Sequence, residues 1–537
     1  MIVQSESASN IIDSLHAAER PAITGVSWAD VVAGMLLTFG TLVRLREWMA
    51  GRSLWMDEAT LSLNLIGRDL TGLLGPLDYG QMAPPGYLWT VKGIISLTGP
   101  GELSLRALSM AAGIGLIVAG WWLTRRLMGR WPATAAAAIL ALSPGAVYYS
   151  NEVKPYSSDA FVAALLLLAG TSAIDREVTW RRTALLAALG ATAVWVSYPA
   201  PFTLVGVGLA LAVASAHRKD WGAVSRLGVV GLAWTGSWGV VYHLARQGST
   251  YDYMQRYWRD QFLDLSLAAP YRTATALVRA LDVPGQTFRS PLDPWNAAVR
   301  ITAVMLVLLA LGIWALAVQR KVPALVMLLS APLMALTAAV AHVYPIDVRL
   351  ILFMLPSLAA LAAGGLWFLS SRGLPWVAVL IIAITLLWSL LADLQTLRGP
   401  SEREDAKGVL RVLSSEARPG DTVYVWHGRA SPLNFYRLTR PSLWPADVQT
   451  VWGAFLSAPV QTPIEKTEKY LEEIGWLCGR PRVWVSLVHG YPPEVYHNVF
   501  AVLRTRGAIV TSRTFDGAEL AFLDLHNLPC QQSAAGQ

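Results

Sequence analysis

The chain has 537 residues, of which 54% are hydrophobic and 15% charged, and its formal net charge is +7. With a mean hydropathy of +0.43 it is too apolar for an ordinary soluble protein, and it reads as a polytopic membrane protein. The positive balance does not point to nucleic acid, because the basic residues fall in short loops between apolar runs rather than on one face or in one tail.

Residues 1–27, which include Glu6, Asp13 and Arg20, lack the basic start, apolar middle and small-residue cleavage site of a removed signal peptide. We read them as a cytoplasmic N-terminal segment, with Trp28 opening a retained first span. A crossing helix needs roughly 20 mostly apolar residues. Runs of that kind start near Trp28, Leu103, Trp131, Tyr156, Thr183, Phe202, Leu227, Ala298, Val322, Leu350 and Pro375, about eleven in all. The basic loops "TRRLMGR", "DREVTWRR", "HRKDWGAVSR", "QRK" and "SSRG" recur after every second span, as cytoplasmic loops do. The other side then receives Arg46 to Glu102, "NEVKPYSSD", "VSYPAP", the segment from Arg246 to Asn296, "HVYPIDVR" and the chain after about Leu397. The apolar stretch from Pro84 cannot be a span without inverting every later loop. At about 14 residues with Lys92 inside it, it is also too short, so it is predicted to lie at the interface.

The stretch "GRSLWMDEATLSLNLIGRDLTGLL" from Gly51 behaves likewise: Leu61, Leu65, Ile66, Leu70, Leu73 and Leu74 recur at spacings of three and four, with Ser62, Asn64, Arg68 and Asp69 opposite. Asp57 and Glu58 fall in the first turn of this interfacial helix, where the positive end of the helix dipole favours ionised carboxylates. Beyond the transmembrane region, taken as residues 28–397, residues 398–537 change in composition. "EREDAKGVLRVLSSEARPGDTVYVWHG" reads as a helix, a turn and a β-rich run, and "EKTEKYLEEIGWLCGRPRVWVSLVHG" repeats that order. The fold class is therefore a polytopic α-helical membrane protein with a C-terminal extracytoplasmic α/β domain. Cys478 and Cys530, the only cysteines, both fall in that domain, either as a disulfide or as two buried thiols. The domain shows no catalytic spacing.

On the outer side the residues that could carry a reaction are Asp57 and Glu58, then Glu152, Lys154, Tyr156 and Asp159, then His342, Tyr344, Asp347 and Arg349. Arg44, Arg46, Arg52 and Arg106 lie near the same boundary, where single arginines often merely snorkel. Three remote segments each place carboxylates beside a cation at one membrane level, which suits a cavity that binds an anion and deprotonates something.

"SLWMDEATLS", "APPGYLW", "SLRALS" and "SPGAVYYSNEVKPY", in that order and spacing, resemble the GT-C glycosyltransferases that use polyprenyl-phosphate sugars. These include protein O-mannosyltransferases, lipid A aminoarabinose transferases and bacterial galacturonosyl-type relatives. The resemblance covers the first 160 or so residues and thins beyond them. It implies a GT-C-like membrane domain, with Asp57 as general base beside Glu58, and donor phosphate held by Lys154, Arg349 and Arg106. It also implies substrate positioning by Glu152, Tyr156, Asp159, His342 and Tyr344. Lys154 stands where the family more often has arginine, which keeps the charge and gives up the bidentate grip. The aromatic "YDYMQRYWRDQF" would lie over the sugar or acceptor, or serve as an interfacial aromatic belt.

Such chemistry needs a base and cations more than an acid, since a polyprenyl phosphate is already a good leaving group. Attack of an acceptor hydroxyl on C1 in one step inverts the anomeric carbon. No cofactor or metal is expected, although Glu58 and Asp159 could bind a divalent cation. The expected partners are a polyprenyl-phosphate-linked sugar, membrane lipid and a glycan, lipid or protein acceptor. Arg far outnumbers Lys and Ala is abundant, which suggests a GC-rich bacterium and its plasma membrane. The alternatives are a flippase of polyprenyl-linked sugars, which would carry its polar groups nearer the midplane, and an inactive assembly platform. The transferase reading requires that Asp57 lie within reach of Lys154 and Arg349, and a separation beyond roughly 15 Å would end it.

Overall fold

A computed structural model of the chain describes residues 27–247, 250–263, 294–377, 402–453, 471–473, 479–488, 497–501 and 509–525, with single positions between them. Ser27 and Asp30 form a reciprocal capping box that starts α1 (Trp28–Met49). After it come α2 (Met56–Gly67), α3 (Pro85–Thr98) and α4 (Glu102–Met128). The run from Trp131 is not one helix. It divides into α5 (Arg130–Leu142) and α6 (Pro144–Tyr149), because Pro144 has no N–H to continue the ladder and Ser143 caps the new start by accepting from Ala146 N–H.

Then follow α7 (Tyr156–Ile174), α8 (Trp180–Val196), α9 (Ala200–His217), α10 (Trp221–Ala245), the short α11 (Thr250–Tyr257), α12 (Pro294–Val318), α13 (Val322–Val340) and α14 (Leu355–Ser371). Among the described residues six helices are long and apolar enough to cross a bilayer. The predicted run from Pro375 lies largely outside the described residues.

Helix packing follows membrane rules, with small residues at the crossings. A Cβ on Gly312 of α12 would sit 1.9 Å from the Leu361 carbonyl of α14, so only glycine lets these two backbones approach so closely. Arg44, which could have snorkelled, is instead fully buried: its guanidinium donates to the carbonyls of Gly40, Leu140 and Ala141 and so closes the end of α5.

The two ends of the bundle differ in charge. At one end Arg125 pairs with Asp30, Arg126 reaches Ser172, Arg218 donates to the Ile174 carbonyl and Lys321 to the Leu127 carbonyl. These groups belong to the basic loops. The acidic and catalytic-looking residues gather at the other end, where α4 and α7 begin.

The C-terminal domain opens with α15 (Ala406–Glu416), capped by Asp405, and includes α16 (Pro432–Thr439). Its five-stranded sheet has the order β2 (Gln449–Trp452), β1 (Thr422–Val425), β3 (Val483–Val488), β5 (Ala518–Leu523), β4 (Ile509–Phe515). The pairs β1–β2 and β1–β3 are parallel, and β5 is antiparallel to both β3 and β4. Most of the helix predicted within "EKTEKYLEEIG", together with Cys478 and Cys530, lies outside the described residues.

The segment around α2 departs from the sequence reading. The helix was expected to lie with Ser62 and Asn64 toward water, yet both are buried. Periodicity detects one apolar partner, and here there are two, because Leu54, Ala59, Leu61 and Leu65 share a core with Val409, Leu410, Leu433 and Tyr436 of the C-terminal domain. The buried polar groups are satisfied locally. Ser62 donates to the Glu58 carbonyl, and Asn64 donates to the Thr60 and Asp78 carbonyls while accepting from Asp78 N–H. The segment from Pro84 forms the expected interfacial-length helix, and its Lys92 donates to the Leu65 carbonyl at the end of α2.

Candidate active site

Asp57 lies one residue into α2 and each of its carboxylate oxygens meets a cation. Lys154 Nζ is 2.9 Å from Oδ1 and Arg349 Nη1 is 3.3 Å from Oδ2. Residues from three segments, separated by 97 and 292 positions in sequence from Asp57, thus converge on one carboxylate. Gln81 completes the cluster, donating to Asp57 Oδ1 at 3.2 Å and accepting from Lys154 at 2.6 Å. Burial pushes the Asp57 carboxyl up, but Lys154 and Arg349 outweigh it, with help from the Lys154 and Gln81 hydrogen bonds, and hold it at about 2. The Asp57 side chain keeps 23% exposure, so the cluster is open to one side.

Each member is held from behind. The Lys154 carbonyl accepts from Ser109 of α4. Tyr198, in the "VSYPAP" hairpin, donates to the Ala83 carbonyl and so fixes the strand of chain that carries Gln81. Arg349 is shared with Asp347, at 3.3 Å, and its guanidinium stacks on Trp258 with 4.7 Å to the ring centroid. Trp258 belongs to the aromatic segment after α10, and Tyr253 of that segment crosses Gly80, where a Cβ would meet the ring at 2.5 Å. The aromatic segment therefore lies against both sides of the cluster.

Glu58 points the other way. It is fully buried in a bidentate pair with Arg106, Nε to Oε1 at 2.8 Å and Nη2 to Oε2 at 2.6 Å, and it also accepts from Val153 N–H. Burial raises its carboxyl while Arg106, then Arg52, overcome that and lower it. Arg106 also donates to the Arg52 and Ser53 carbonyls. Both residues were expected at the reaction and the donor phosphate. In the structure they pair with each other and tie the 52–58 segment to the loop that carries Lys154.

The other predicted residues spread around this centre. Glu152 is buried, accepts from Trp55 Nε1 at 3.1 Å, and is raised by burial and by Glu58. Tyr156 is buried with its ring edge-on to Tyr149. Asp159 is buried beside Ser197, with Oδ1 lacking a hydrogen-bond partner. Tyr344 donates to the Leu350 carbonyl and packs on Phe202 and Phe353. His342 is exposed and stacked on Phe262, with no hydrogen bond to the Asp57 cluster. Among the described residues no His, Cys, Asp or Glu cluster of three or more is grouped to hold a metal ion.

Residues 82–235 match the family described as dolichyl-phosphate-mannose-protein mannosyltransferase. No curated protein matches by sequence. Among solved structures the chain is similar to ArnT from Cupriavidus metallidurans in the apo state, at 14% identity and a TM-score of 0.50, covering 91% of this chain and 98% of that one. ArnT bound to undecaprenyl phosphate gives 13% identity, 91% and 98% coverage and a TM-score of 0.49. The oligosaccharyltransferase of Archaeoglobus fulgidus in the apo form gives 13% identity, 85% and 69% coverage and a TM-score of 0.48. The chain is a multi-pass membrane protein with the GT-C fold that its first 160 residues resemble.

Proposed function

We propose that the protein is a glycosyltransferase that moves a sugar from a polyprenyl-phosphate donor to an acceptor hydroxyl at the non-cytoplasmic face of a bacterial plasma membrane. The observation that carries this is the clamp of one carboxylate between two cations from remote loops, at the bundle end away from the basic loops. The matched family's description, which names a dolichyl-phosphate sugar, supports a lipid-phosphate donor.

In this reading the donor phosphate enters between Lys154 and Arg349. As the acceptor oxygen bonds to C1, the bond from C1 to the phosphate oxygen breaks, the acceptor proton passes to Asp57, and polyprenyl phosphate leaves. The anomeric carbon inverts. A carboxylate held at about 2 is a weak base, and the donor resolves this: a phosphate that draws Lys154 and Arg349 to itself removes what holds Asp57 down. The same two cations stabilise charge growing on the departing phosphate. Glu58 and Arg106 act here as positioning residues.

Purified protein given a polyprenyl phosphate labelled in its sugar should pass the label to an acceptor, with the lipid phosphate as co-product. Translocation of intact labelled lipid across a vesicle, without transfer, would replace this reading with the flippase.

A further inference from the structure

The five residues before α2, Gly51 to Trp55, form no regular structure, and several of the side chains that hold their backbone come from far away. On the membrane side Arg106 takes the carbonyls of Arg52 and Ser53. Four further backbone groups of residues 51–56 pair with the C-terminal domain. Lys407 donates to the Gly51 carbonyl, Glu402 accepts from Ser53 N–H at 2.8 Å, and the Tyr436 hydroxyl accepts from Leu54 N–H at 3.0 Å. Glu404 accepts from Met56 N–H at 2.8 Å. Tyr436 and Arg440 also bind Glu102, the first residue of α4.

The Glu404 contact has a specific meaning for α2. A helix start leaves orphan N–H groups, normally met by a Ser, Thr, Asp or Asn side chain at the cap position. Here that position is Trp55, which makes no capping hydrogen bond. Glu404, buried and 348 residues away in sequence, supplies the acceptor at the turn that bears Asp57. Its negative charge also suits the positive end of the helix.

We propose that the C-terminal domain is a positioning element of the active site, with Glu404 capping the Asp57 helix from across the fold and setting where the carboxylate stands relative to Lys154 and Arg349. This rests on Asp57 being the base. It gives the domain, which has no catalytic spacing of its own, a direct mechanical hold on catalysis, because displacing a reacting group by about 1 Å is enough to cost on the order of 10²-fold in rate.

The test uses full-length protein carrying Glu404→Ala, Glu404→Gln or Tyr436→Phe. Glu404→Ala should lower kcat by on the order of 10- to 100-fold while donor KM stays within about twofold. Glu404→Gln should recover most of kcat, since the amide oxygen still accepts from Met56 N–H. Backbone hydrogen exchange over residues 53–60, measured without substrate, should quicken in the alanine variant and not in the glutamine variant. If the alanine variant does not fold, Tyr436→Phe makes the same test by freeing Leu54 N–H. Wild-type kcat with unchanged exchange in the alanine or phenylalanine variant overturns the proposal, as does a glutamine variant as damaged as the alanine one. Absence of transferase activity in the wild type would end the base assignment, and the exchange measurement would still decide the cap.

Discussion

Substituting Asp57→Asn should move catalysis and donor binding in opposite directions. The side chain keeps its shape and one acceptor oxygen, so the fold around Lys154 and Gln81 has little reason to change. What disappears is the negative charge. In the donor-free protein the carboxyl is held at about 2 against an ordinary 3.8, and at about 1.4 kcal/mol per unit its surroundings favour the charged form by roughly 2–3 kcal/mol. That figure is the net of burial, which raises the carboxyl, against the cations, which lower it, and it sets the order of magnitude of what a lipid phosphate must overcome to take the two cations from a side chain that is 23% exposed and partly screened by solvent. Turnover should therefore fall by about 10² to 10⁴ with the base removed. Undecaprenyl phosphate, a product-like probe, should bind about 3- to 30-fold tighter. Titration of the probe into detergent-solubilised wild type and variant, alongside turnover with labelled donor, reads both quantities. Turnover within tenfold of wild type would refute the base role, and weaker binding of the probe would refute the competition between Asp57 and phosphate.

Arg106→Met should destabilise the protein by about 3–5 kcal/mol, because it strands the fully buried Glu58 without its partner. A thermal unfolding midpoint equal to wild type would contradict this, and adding Glu58→Gln should restore part of the loss. For pH, the sign follows from a depressed carboxyl: Asp57 is charged above about 2 in the free protein, and its stabilising contribution is fully present above the unfolded value of 3.8 and is lost as pH falls from there through about 2. Its protonation should therefore leave kcat/KM without an acid limb between pH 4 and 8, whereas kcat should gain one at higher pH, once phosphate occupies the cations. One shared acid limb in both profiles would count against donor-dependent unmasking. Activity should also survive chelator; loss in chelator with rescue by Mg²⁺ or Mn²⁺ would show that the carboxylates serve a metal.

Asp57, Lys154 and Arg349 were legible because each is a charged residue at the end of an apolar run, where a charge without a role is costly. Gln81 carried no such signal: in "DYGQMAPPG" it is a polar residue in a turn-rich loop, and only its place between Asp57 and Lys154 gives it meaning. Trp258 was visible as an aromatic near the interface, but a sequence cannot distinguish a ring facing lipid from a ring beneath an arginine. The arginines misled in the other direction. Arg44 lies where an arginine often snorkels, and Arg106 carries a donor-phosphate role in the resemblance, whereas both are buried on carbonyls and a carboxylate brought by remote segments. Glu404 sits in the charge-rich "SEREDAKG", which reads as a helix start; its contact with Met56 is purely tertiary.

The charges at the centre add to zero before a donor arrives, with Asp57 and Asp347 against Lys154 and Arg349. That neutrality bears on turnover as well as on binding. Two bare cations at the membrane boundary would hold the product phosphomonoester, with its extra charge, even more firmly than the donor phosphodiester, and such affinity adds nothing to the rate once donor is plentiful. With Asp57 between them, the leaving phosphate has a competitor already in place. In the proposed transfer the aspartate takes up the acceptor proton and exerts no pull on the cations, so they remain free to stabilise the phosphate. After it releases that proton to water it is again a carboxylate 2.9 and 3.3 Å from the positions of Lys154 Nζ and Arg349 Nη1, and recovering those contacts displaces the spent lipid phosphate. The clamp that weakens the base at rest is, on this account, the device that clears the site, and it requires the base and the phosphate cations to be the same touching set of residues.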